Sequence, residues 1–482
     1  MPAKSFINPT SWTFRRELAS EFTVIGAANF AHLRYRLFAS ARQAVVAAFV
    51  RKRAPAPRER LWIYSPLSVV QPMARKAWPW TILLDRAEVQ SFHHDHITRD
   101  PRGWFEAFML RPVDRQIHQF LDDSAAAGRI ARLETLCDAV GAAIRRGGNP
   151  GETGVDKKFL IDAPDDPVSA TELLRDHGGD LFALDGNHHD VVLPAAQLAK
   201  VTPPYQHRFG GNVLLVPRNF SNIRFVKDPI GYTSSTLAVF YDKPAKRVTA
   251  NEKRLQQALA VYLRSPLALY LVATIGRRWL MDRRNIEPTD LAAFPVPFTS
   301  IDDPRINEVL ARKDSGLDKY ALEALGIDGD FDGAVREFLQ FRMGFQDGDV
   351  PPDALSKPPS KSIRKYESVL KRNLDGLIGR RGAFTVASHV DLQAGVAAVA
   401  AHFREASKPG GKTDIPVTLC RRALAGYWAS SSNSFSDSLA ATYDNQSSSV
   451  TFIKPLEFFR WTVDSAFADS RQMMTTFLAG RS

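Results

Sequence analysis

The chain has 482 residues, with 63 Lys and Arg against 52 Asp and Glu, which gives a formal net charge of +11. Its 44% hydrophobic and 24% charged residues exclude disordered and collagen-like proteins and favour two to four domains. The two cysteines, Cys137 and Cys420, lie too far apart in sequence to build a disulfide framework or a cysteine-based zinc site. This cysteine usage and a polar N-terminal segment predict a cytoplasmic protein.

Residues 1–135 mix strand-like runs with arginine-rich connections. The apolar pattern predicts paired strands at Ala28–Phe38 and Arg42–Val50 and a third strand at Leu61–Tyr64. Polar residues on either side of the third run mark its ends. We therefore expect an α/β region here.

Residues 136–343 form the second predicted region. It opens with the glycine-rich Arg145–Gly154, passes through strands near Asn212–Val216 and Thr236–Tyr241, and becomes helical over Glu252–Trp279. Its most apolar stretch, from 258 to 276, contains an arginine and a proline, so we predict a buried helix and no membrane span.

Residues 344–362 are rich in Asp, Gly, Pro, Ser and Lys, which predicts a linker. The segment beyond it, 363–482, is predicted as a small α+β assembly domain. Its predicted elements are a helix at Ile363–Ile378, a strand at Phe384–Val386, an alanine-rich helix, a loop at Ser430–Ser438 and a final helix after Trp461. Basic and aromatic residues around Trp461 suit a docking surface, while the simpler interpretation places Trp461 in the core.

Three motifs are similar to metal-binding, phosphate-binding or catalytic motifs, but we assign none of these functions to them. Adjacent residues of His93-His94-Asp95-His96 would point to opposite faces of a strand, so at most two could bind one metal ion. The glycines between 147 and 154 lack the Gly-Lys-Ser/Thr ending of a phosphate-binding loop. Thr202-Pro203-Pro204-Tyr205 is similar to the catalytic tetrapeptide of amino-methyltransferases, but threonine has the wrong reach.

The positive charge is concentrated in one part of the chain. Residues 201–300 contain 14 Lys and Arg against 6 Asp and Glu, a net charge of +8. Cationic, amide and aromatic residues are interleaved there. In nucleic-acid complexes cations contact phosphates, amides contact base edges and aromatics stack on unpaired bases. An ordinary solvated basic surface is the alternative. The predicted DNA-binding residues are Arg218, Asn219, Phe220, Asn222, Arg224, Lys227, Tyr232, Arg277, Arg278, Arg283 and Arg284.

Several segments together resemble the N6-adenine DNA methyltransferases of restriction-modification and phage-defence systems. Residues 27–38, 42–50 and 61–66 resemble the last strands of the catalytic fold, and 145–162 resembles the opening of the target-recognition domain. Gly211–Arg218 is similar to a strand of that domain. Ala260–Leu267, Ile286 and 290–297 resemble its closing helix and its exit through Phe294-Pro295-Val296-Pro297.

The resemblance implies an α/β and α+β multidomain chain: a partial methyltransferase-like sheet in 1–135, a mixed α/β target-recognition-like DNA-binding domain in 136–343, a linker in 344–362 and the C-terminal domain in 363–482. The family's cofactor loop and Asn-Pro-Pro-Tyr/Phe loop would precede residue 10. We therefore expect no catalytic, cofactor or metal residues in this chain. A catalytic partner subunit would bind S-adenosylmethionine, and this chain would bind double-stranded DNA and that partner, away from membranes.

Two other functions stay open at this point. The chain could be a divergent, self-sufficient S-adenosylmethionine-dependent methyltransferase that uses Thr202–Tyr205. It could also be an interaction scaffold of a defence complex that does not bind DNA.

Overall fold

The computed structural model describes residues 2–33, 44–66, 88–147, 207–228, 232, 236–279, 281, 284–312, 316–327, 329–346, 350–393, 395–403, 415–430 and 440–481. Their fold is mixed α/β, with several sheets. The strands are β1 Thr23–Asn29, β2 Val46–Arg51, β3 Arg60–Tyr64, β4 Val89–His93, β5 Ala131–Arg132, β6 Ala142–Arg146, β7 Val213–Pro217, β8 Arg224–Val226, β9 Thr236–Tyr241, β10 Pro295–Val296, β11 Phe384–Asp391, β12 Val396–Phe403, β13 Ala440–Asp444 and β14 Ser449–Pro455.

The same residues form sixteen α-helices. They are α1 Lys4–Ile7, α2 Trp12–Glu21, α3 Asp95–Arg99, α4 Gly103–Met109, α5 Pro112–Ala126, α6 Leu133–Val140, α7 Ala250–Tyr262, α8 Pro266–Ile275, α9 Pro288–Ala292, α10 Arg305–Ala311, α11 Leu317–Ala324, α12 Gly329–Glu337, α13 Met343–Gln346, α14 Ser360–Ile378, α15 Ile415–Ser430 and α16 Val463–Arg481.

The chain divides into two compact units, and one of them is discontinuous in sequence. The first unit contains residues 1–116 and 329–482, and the second contains 117–328. The predicted division instead gave 1–135, 136–343 and 363–482 separate domains. The difference arises because the C-terminal third of the chain packs with the N-terminal segment, a long-range contact that local patterns do not encode.

Buried ion pairs join the two segments of the first unit. Arg111 Nη1 donates to Asp464 Oδ2 at 2.7 Å, and Arg342 Nη1 donates to Asp114 Oδ2 at 2.6 Å. All four side chains are at most about one-tenth exposed. Because separating buried charges of opposite sign costs free energy, these contacts stabilise the packing of the two segments.

The first sheet of this unit has the strand order β2-β1-β3-β4. The strands β1 and β3 are parallel, whereas β1 with β2 and β3 with β4 are antiparallel. One face of the sheet is apolar and buried, with Val24, Val46, Leu61 and Ile63 all at most 1% exposed. The strands predicted at Arg42–Val50 and Leu61–Tyr64 are present as β2, which begins at Val46, and β3. The strand predicted at Ala28–Phe38 is wrong, because the strand that pairs with β2 ends at Asn29 and Ala31–Leu33 forms a 3-10 helix; residues 34–38 lie outside the described residues.

The second sheet of this unit has the order β11-β12-β14-β13 and is antiparallel throughout. The interval predicted to hold an alanine-rich helix contains both β12 and α15. The most alanine-rich run forms β12, in which Ala397–Ala401 are all buried. The predicted helix at 363–378 and the final helix after Trp461 are confirmed as α14 and α16.

Part of the predicted linker belongs to the core of the first unit. Ala354 is fully buried against Phe341, Phe345 and Phe459. Its carbonyl accepts a hydrogen bond from the Phe459 N–H at 3.1 Å. The polar composition of residues 344–362 concealed this packing because only a few of its side chains are apolar.

The second unit is built on the sheet β6-β9-β7-β8, whose paired strands are all antiparallel. The predicted strands at 212–216 and 236–241 are confirmed as β7 and β9, which are buried along their whole length. The helical segment is confirmed as α7 and α8. No single helix in the described part of the chain is long and apolar enough to cross a membrane; α7 and α8 pass that test only as a pair, with an 82° bend between them.

Candidate nucleic-acid interface

The turn that follows β7 presents several of the predicted DNA-binding residues. It begins tightly, since the Phe220 N–H donates to the Pro217 carbonyl at 2.8 Å. Phe220 and Asn222 have φ angles of 60° and 48°, in the left-handed region. Asparagine adopts this region readily, whereas a bulky residue such as Phe220 rarely does unless the surrounding packing enforces it.

Aromatic packing holds this turn against the segment that follows α8. Phe220 is fully buried, and its ring centroid lies 6.3 Å from that of Trp279 and 6.1 Å from that of Phe294. The Ile286 N–H also donates to the Arg218 carbonyl at 2.8 Å. These contacts bring together arginines that are 60 residues apart in sequence.

Three arginines converge on one carboxylate at this point. Glu287 Oε1 accepts hydrogen bonds from Arg218 Nη2 at 2.5 Å and from Arg278 Nη1 at 3.2 Å, and Arg146 binds Glu287 Oε2. We call Arg146, Arg218, Arg278 and Glu287 the Glu287 arginine cluster. One carboxylate balances one guanidinium, so the cluster retains an excess positive charge of about two.

The pKa of Arg218 lies below its ordinary value, chiefly because the side chain is partly buried. Burial lowers the pKa of Arg218, the Glu287 carboxylate raises it, and Arg146 and Arg278 lower it again. The Arg146 side chain remains 45% exposed, whereas those of Arg218 and Arg278 are about one-fifth exposed. A phosphate from solvent would therefore contact Arg146 first, and the guanidiniums of Arg218 and Arg278 lie behind it, held in place by Glu287.

A second group of cations contacts or follows the end of the turn. Arg264 Nε donates to the Ile223 carbonyl at 2.6 Å, and Arg224 Nη1 donates to the Asn222 carbonyl at 3.4 Å. Burial and the neighbouring Arg224 lower the pKa of Arg264. Lys227, at the end of β8, is exposed. Cationic residues thus both precede and follow the same turn in the chain.

The assignment of Phe220 and Tyr232 to base contacts is not supported by their positions, because both are core residues. Tyr232 is 4% exposed, packs on Phe209 with ring centroids 5.0 Å apart, and donates its hydroxyl to the Arg208 carbonyl at 3.0 Å. Phe220 is buried as described above. An aromatic residue among cations in a sequence can stack on a nucleic-acid base or pack in the hydrophobic core. Here both Phe220 and Tyr232 pack in the core.

The other predicted residues are distributed as follows. Asn219 is exposed, and its Oδ1 accepts hydrogen bonds from the Ser221 N–H and hydroxyl, which closes the turn. Arg277 is half-buried and Arg284 is exposed, both in the segment between α8 and α9. Arg283 lies outside the described residues.

Two residues of the cluster were not predicted from the sequence. Arg146 lies at the end of β6, in the segment interpreted only as a glycine-rich opening. Glu287 directly precedes α9, and its N–H donates to Asp290 Oδ2 at 2.9 Å. The signal that was available is the helix start Glu287-Pro288-Thr289-Asp290, an acidic pair within an otherwise arginine-rich stretch.

His94 and His96, from the first motif set aside in the sequence, pack within the first unit. His94 is buried, its Nε2 accepts the Val24 N–H at 3.1 Å, and burial lowers its pKa. The His96 ring stacks on Phe92 at 5.0 Å. Within the described part of the chain, no group of three or more His, Cys, Asp or Glu side chains could hold a metal ion. The glycines beyond 147 and Thr202–Tyr205 lie outside the described residues.

Comparison with known proteins gives no family for this chain. No protein-family model matches it, and no curated protein is significantly similar to it in sequence.

Proposed function

We propose that the chain is a DNA-recognition and assembly subunit that works with a catalytic adenine-N6 methyltransferase subunit in a restriction-modification or phage-defence system. The observation that supports DNA binding best is the Glu287 arginine cluster, in which three guanidiniums share one carboxylate. Guanidinium groups bind phosphate oxygens in a planar, bidentate geometry. The cluster would hold the DNA backbone and fix its register.

Several features favour duplex DNA over a small anion as the ligand. The net charge of +8 over residues 201–300 greatly exceeds what one small anion requires. Cations precede and follow the turn at 218–222 in the chain, and a duplex offers several phosphates to such a group whereas a small anion offers one. Asn219 and Asn222 belong to this turn, and amide side chains can read base edges.

Catalysis and the cofactor are assigned to the partner subunit. The one tetrapeptide that is similar to the catalytic loop begins with Thr202, whose hydroxyl cannot replace the amide or carboxylate oxygen that receives the target amine. Calorimetry of the purified chain with S-adenosylmethionine tests this assignment. We expect no heat of binding, and saturable binding would favour a self-sufficient enzyme.

Binding of fluorescein-labelled duplex DNA to the full chain tests the proposed interface. Arg146→Gln and Arg278→Gln should each weaken binding by about tenfold, because each removes one phosphate contact. The matched control is Arg336→Gln, which removes an exposed arginine paired with Asp332 on α12. If both cluster variants bind duplex DNA as tightly as the wild-type chain and the control, this surface is not the interface.

A further inference from the structure

The outer face of the first sheet carries two exposed aromatic side chains in register. Phe49 of β2 and Trp62 of β3 both lie opposite Gly26 of β1, so the three residues share one face of the sheet. Phe49 is 61% exposed and Trp62 is 55% exposed, although the opposite face of the same sheet is buried. We call Phe49, Gly26 and Trp62 the aromatic face.

Gly26 leaves a slot between the two rings. Strands lie about 4.8 Å apart, so side chains on the two strands that flank β1 start roughly 10 Å from each other. A Cβ at position 26 would come within 2.8 Å of the Trp62 carbonyl oxygen, so the close approach of β1 and β3 requires glycine there. A flat aromatic ligand can therefore reach either ring from above the glycine.

Cations border this face. Residues 51–60, which join β2 to β3, contain five Lys and Arg and a single acidic residue, Glu59. All five cations are exposed. Glu59 pairs with Arg53 at 3.0 Å, and Arg60 donates to Ser91 Oγ at 2.8 Å. The remaining cations are Arg51, Lys52 and Arg58. The ten residues together carry a net charge of +4.

Exposed rings next to a row of cations match the chemistry of single-stranded nucleic acid. Unpaired bases stack on aromatic side chains while Lys and Arg hold the phosphates, and this mode tolerates any base sequence. An apolar surface of a protein partner could pack on the two aromatic side chains. It would, however, bury the neighbouring cations without any opposite charge. Charge complementarity therefore favours a polyanion with aromatic groups.

We propose that the aromatic face binds single-stranded nucleic acid, with bases stacked on Trp62 and Phe49 and the phosphates held by Arg51, Lys52 and Arg58. The site lies in the first unit and shares no residue with the Glu287 arginine cluster. It therefore does not depend on the proposed duplex binding, and each can fail without the other.

Fluorescence anisotropy of the full chain with a labelled oligothymidylate of about 12 nucleotides tests this proposal. Trp62→Ala and Phe49→Ala should each weaken binding by about tenfold, and Trp62→Phe should retain most of the affinity because a ring remains. Phe14→Ala is the matched control, since Phe14 is a 40%-exposed aromatic on α2 and not on the sheet face. Duplex binding by the same variants should stay at the wild-type level.

Three outcomes would overturn the proposal. The first is no binding of the oligonucleotide by the wild-type chain, and the second is wild-type affinity in the folded Phe49→Ala/Trp62→Ala double variant. The third is self-association of the wild-type chain that the double variant abolishes without any oligonucleotide binding, which would make the face an interface between copies. Circular dichroism of each variant confirms that it is folded before binding is measured.

Discussion

At the scale of single residues, Glu287 sets the charge of the proposed interface. Its carboxylate restrains Arg146, Arg218 and Arg278, and it also offsets part of their attraction for phosphate. Restraining the arginines stabilises the fold, whereas offsetting their charge weakens the attraction for phosphate. One substitution at Glu287 can therefore measure the two roles separately.

Glu287→Gln should tighten duplex binding at a fixed salt concentration, because the net positive charge of the cluster rises by one. The same change should lower the free energy of unfolding by about 1–3 kcal/mol, since three guanidiniums lose their charged acceptor. Anisotropy titrations and urea unfolding measure the two effects. Weaker duplex binding in a folded variant would show that Glu287 serves only to position the arginines.

The core of the first unit contains a buried lysine whose role is structural. Lys454 Nζ donates to Asp469 Oδ2 at 2.5 Å, to the Arg460 carbonyl at 2.6 Å and to the Tyr366 hydroxyl at 3.1 Å. It also lies 4.5 Å from the ring centroid of Trp461. Trp461 is fully buried, as the simpler interpretation of the sequence expected.

Lys454→Met should lower the free energy of unfolding by about 3–5 kcal/mol, because the buried Asp469 would keep the hydrogen bond from the Tyr366 hydroxyl but lose its cationic partner. Urea unfolding followed by tryptophan fluorescence measures the loss. The double variant Lys454→Met/Asp469→Leu should recover much of it, since both charges are then removed. A single variant as stable as the wild-type chain would contradict the structural role.

At the scale of elements, the end of one helix caps the start of another. Glu337 at the end of α12 accepts the N–H groups of Val463 and Asp464, the first residues of α16, at 2.7 and 3.3 Å. A carboxylate near a helix N-terminus is favourable. Burial nevertheless raises the pKa of Glu337 to about 8, with the nearby Asp464 adding to the rise.

This raised pKa predicts a pH-dependent stability. Between the ordinary value of 4.5 and about 8, the folded chain keeps a proton that the unfolded chain releases, so the free energy of unfolding falls as pH rises. The slope from this one group is at most about 1.4 kcal/mol per pH unit. Urea unfolding of wild-type and Glu337→Gln chains across this range compares their slopes. The variant should be flatter, and identical slopes would contradict the assignment.

Some helices and strands can be predicted from the local sequence, and others cannot. The strands β7 and β9 and the helix α14 follow from continuous apolar runs and helical periodicity, and all three are present. The alanine-rich β12 pairs with β11 on one side and β14 on the other. Alanine favours helices when isolated, but small side chains suit a central strand covered on both faces.

The candidate site was only partly predictable for a related reason. Arg218 and Arg278 could be named from residue type, since each lies in a visibly basic stretch. Arg146 could not, because it lies 141 residues from Glu287 in the chain and only tertiary packing brings the two side chains together. The interior positions of Phe220 and Tyr232 are likewise a product of tertiary packing.

At the scale of the whole molecule, each of the two units carries a group of cations. The second unit carries the Glu287 arginine cluster, and the first carries the cations of residues 51–60 beside the aromatic face. One surface suits the phosphates of a duplex, and the other suits stacked, unpaired bases. A recognition subunit of an enzyme that modifies bases would use both kinds of contact.

The central claim is that the Glu287 arginine cluster contacts DNA phosphates, and the salt dependence of duplex binding tests it most directly. The logarithm of the association constant should fall linearly with the logarithm of salt concentration, by about 0.9 per phosphate contact. The double variant Arg146→Gln/Arg278→Gln should have a slope that is shallower by about two contacts. Equal slopes for the wild-type and double-variant chains, or duplex binding that does not respond to salt, would contradict the claim.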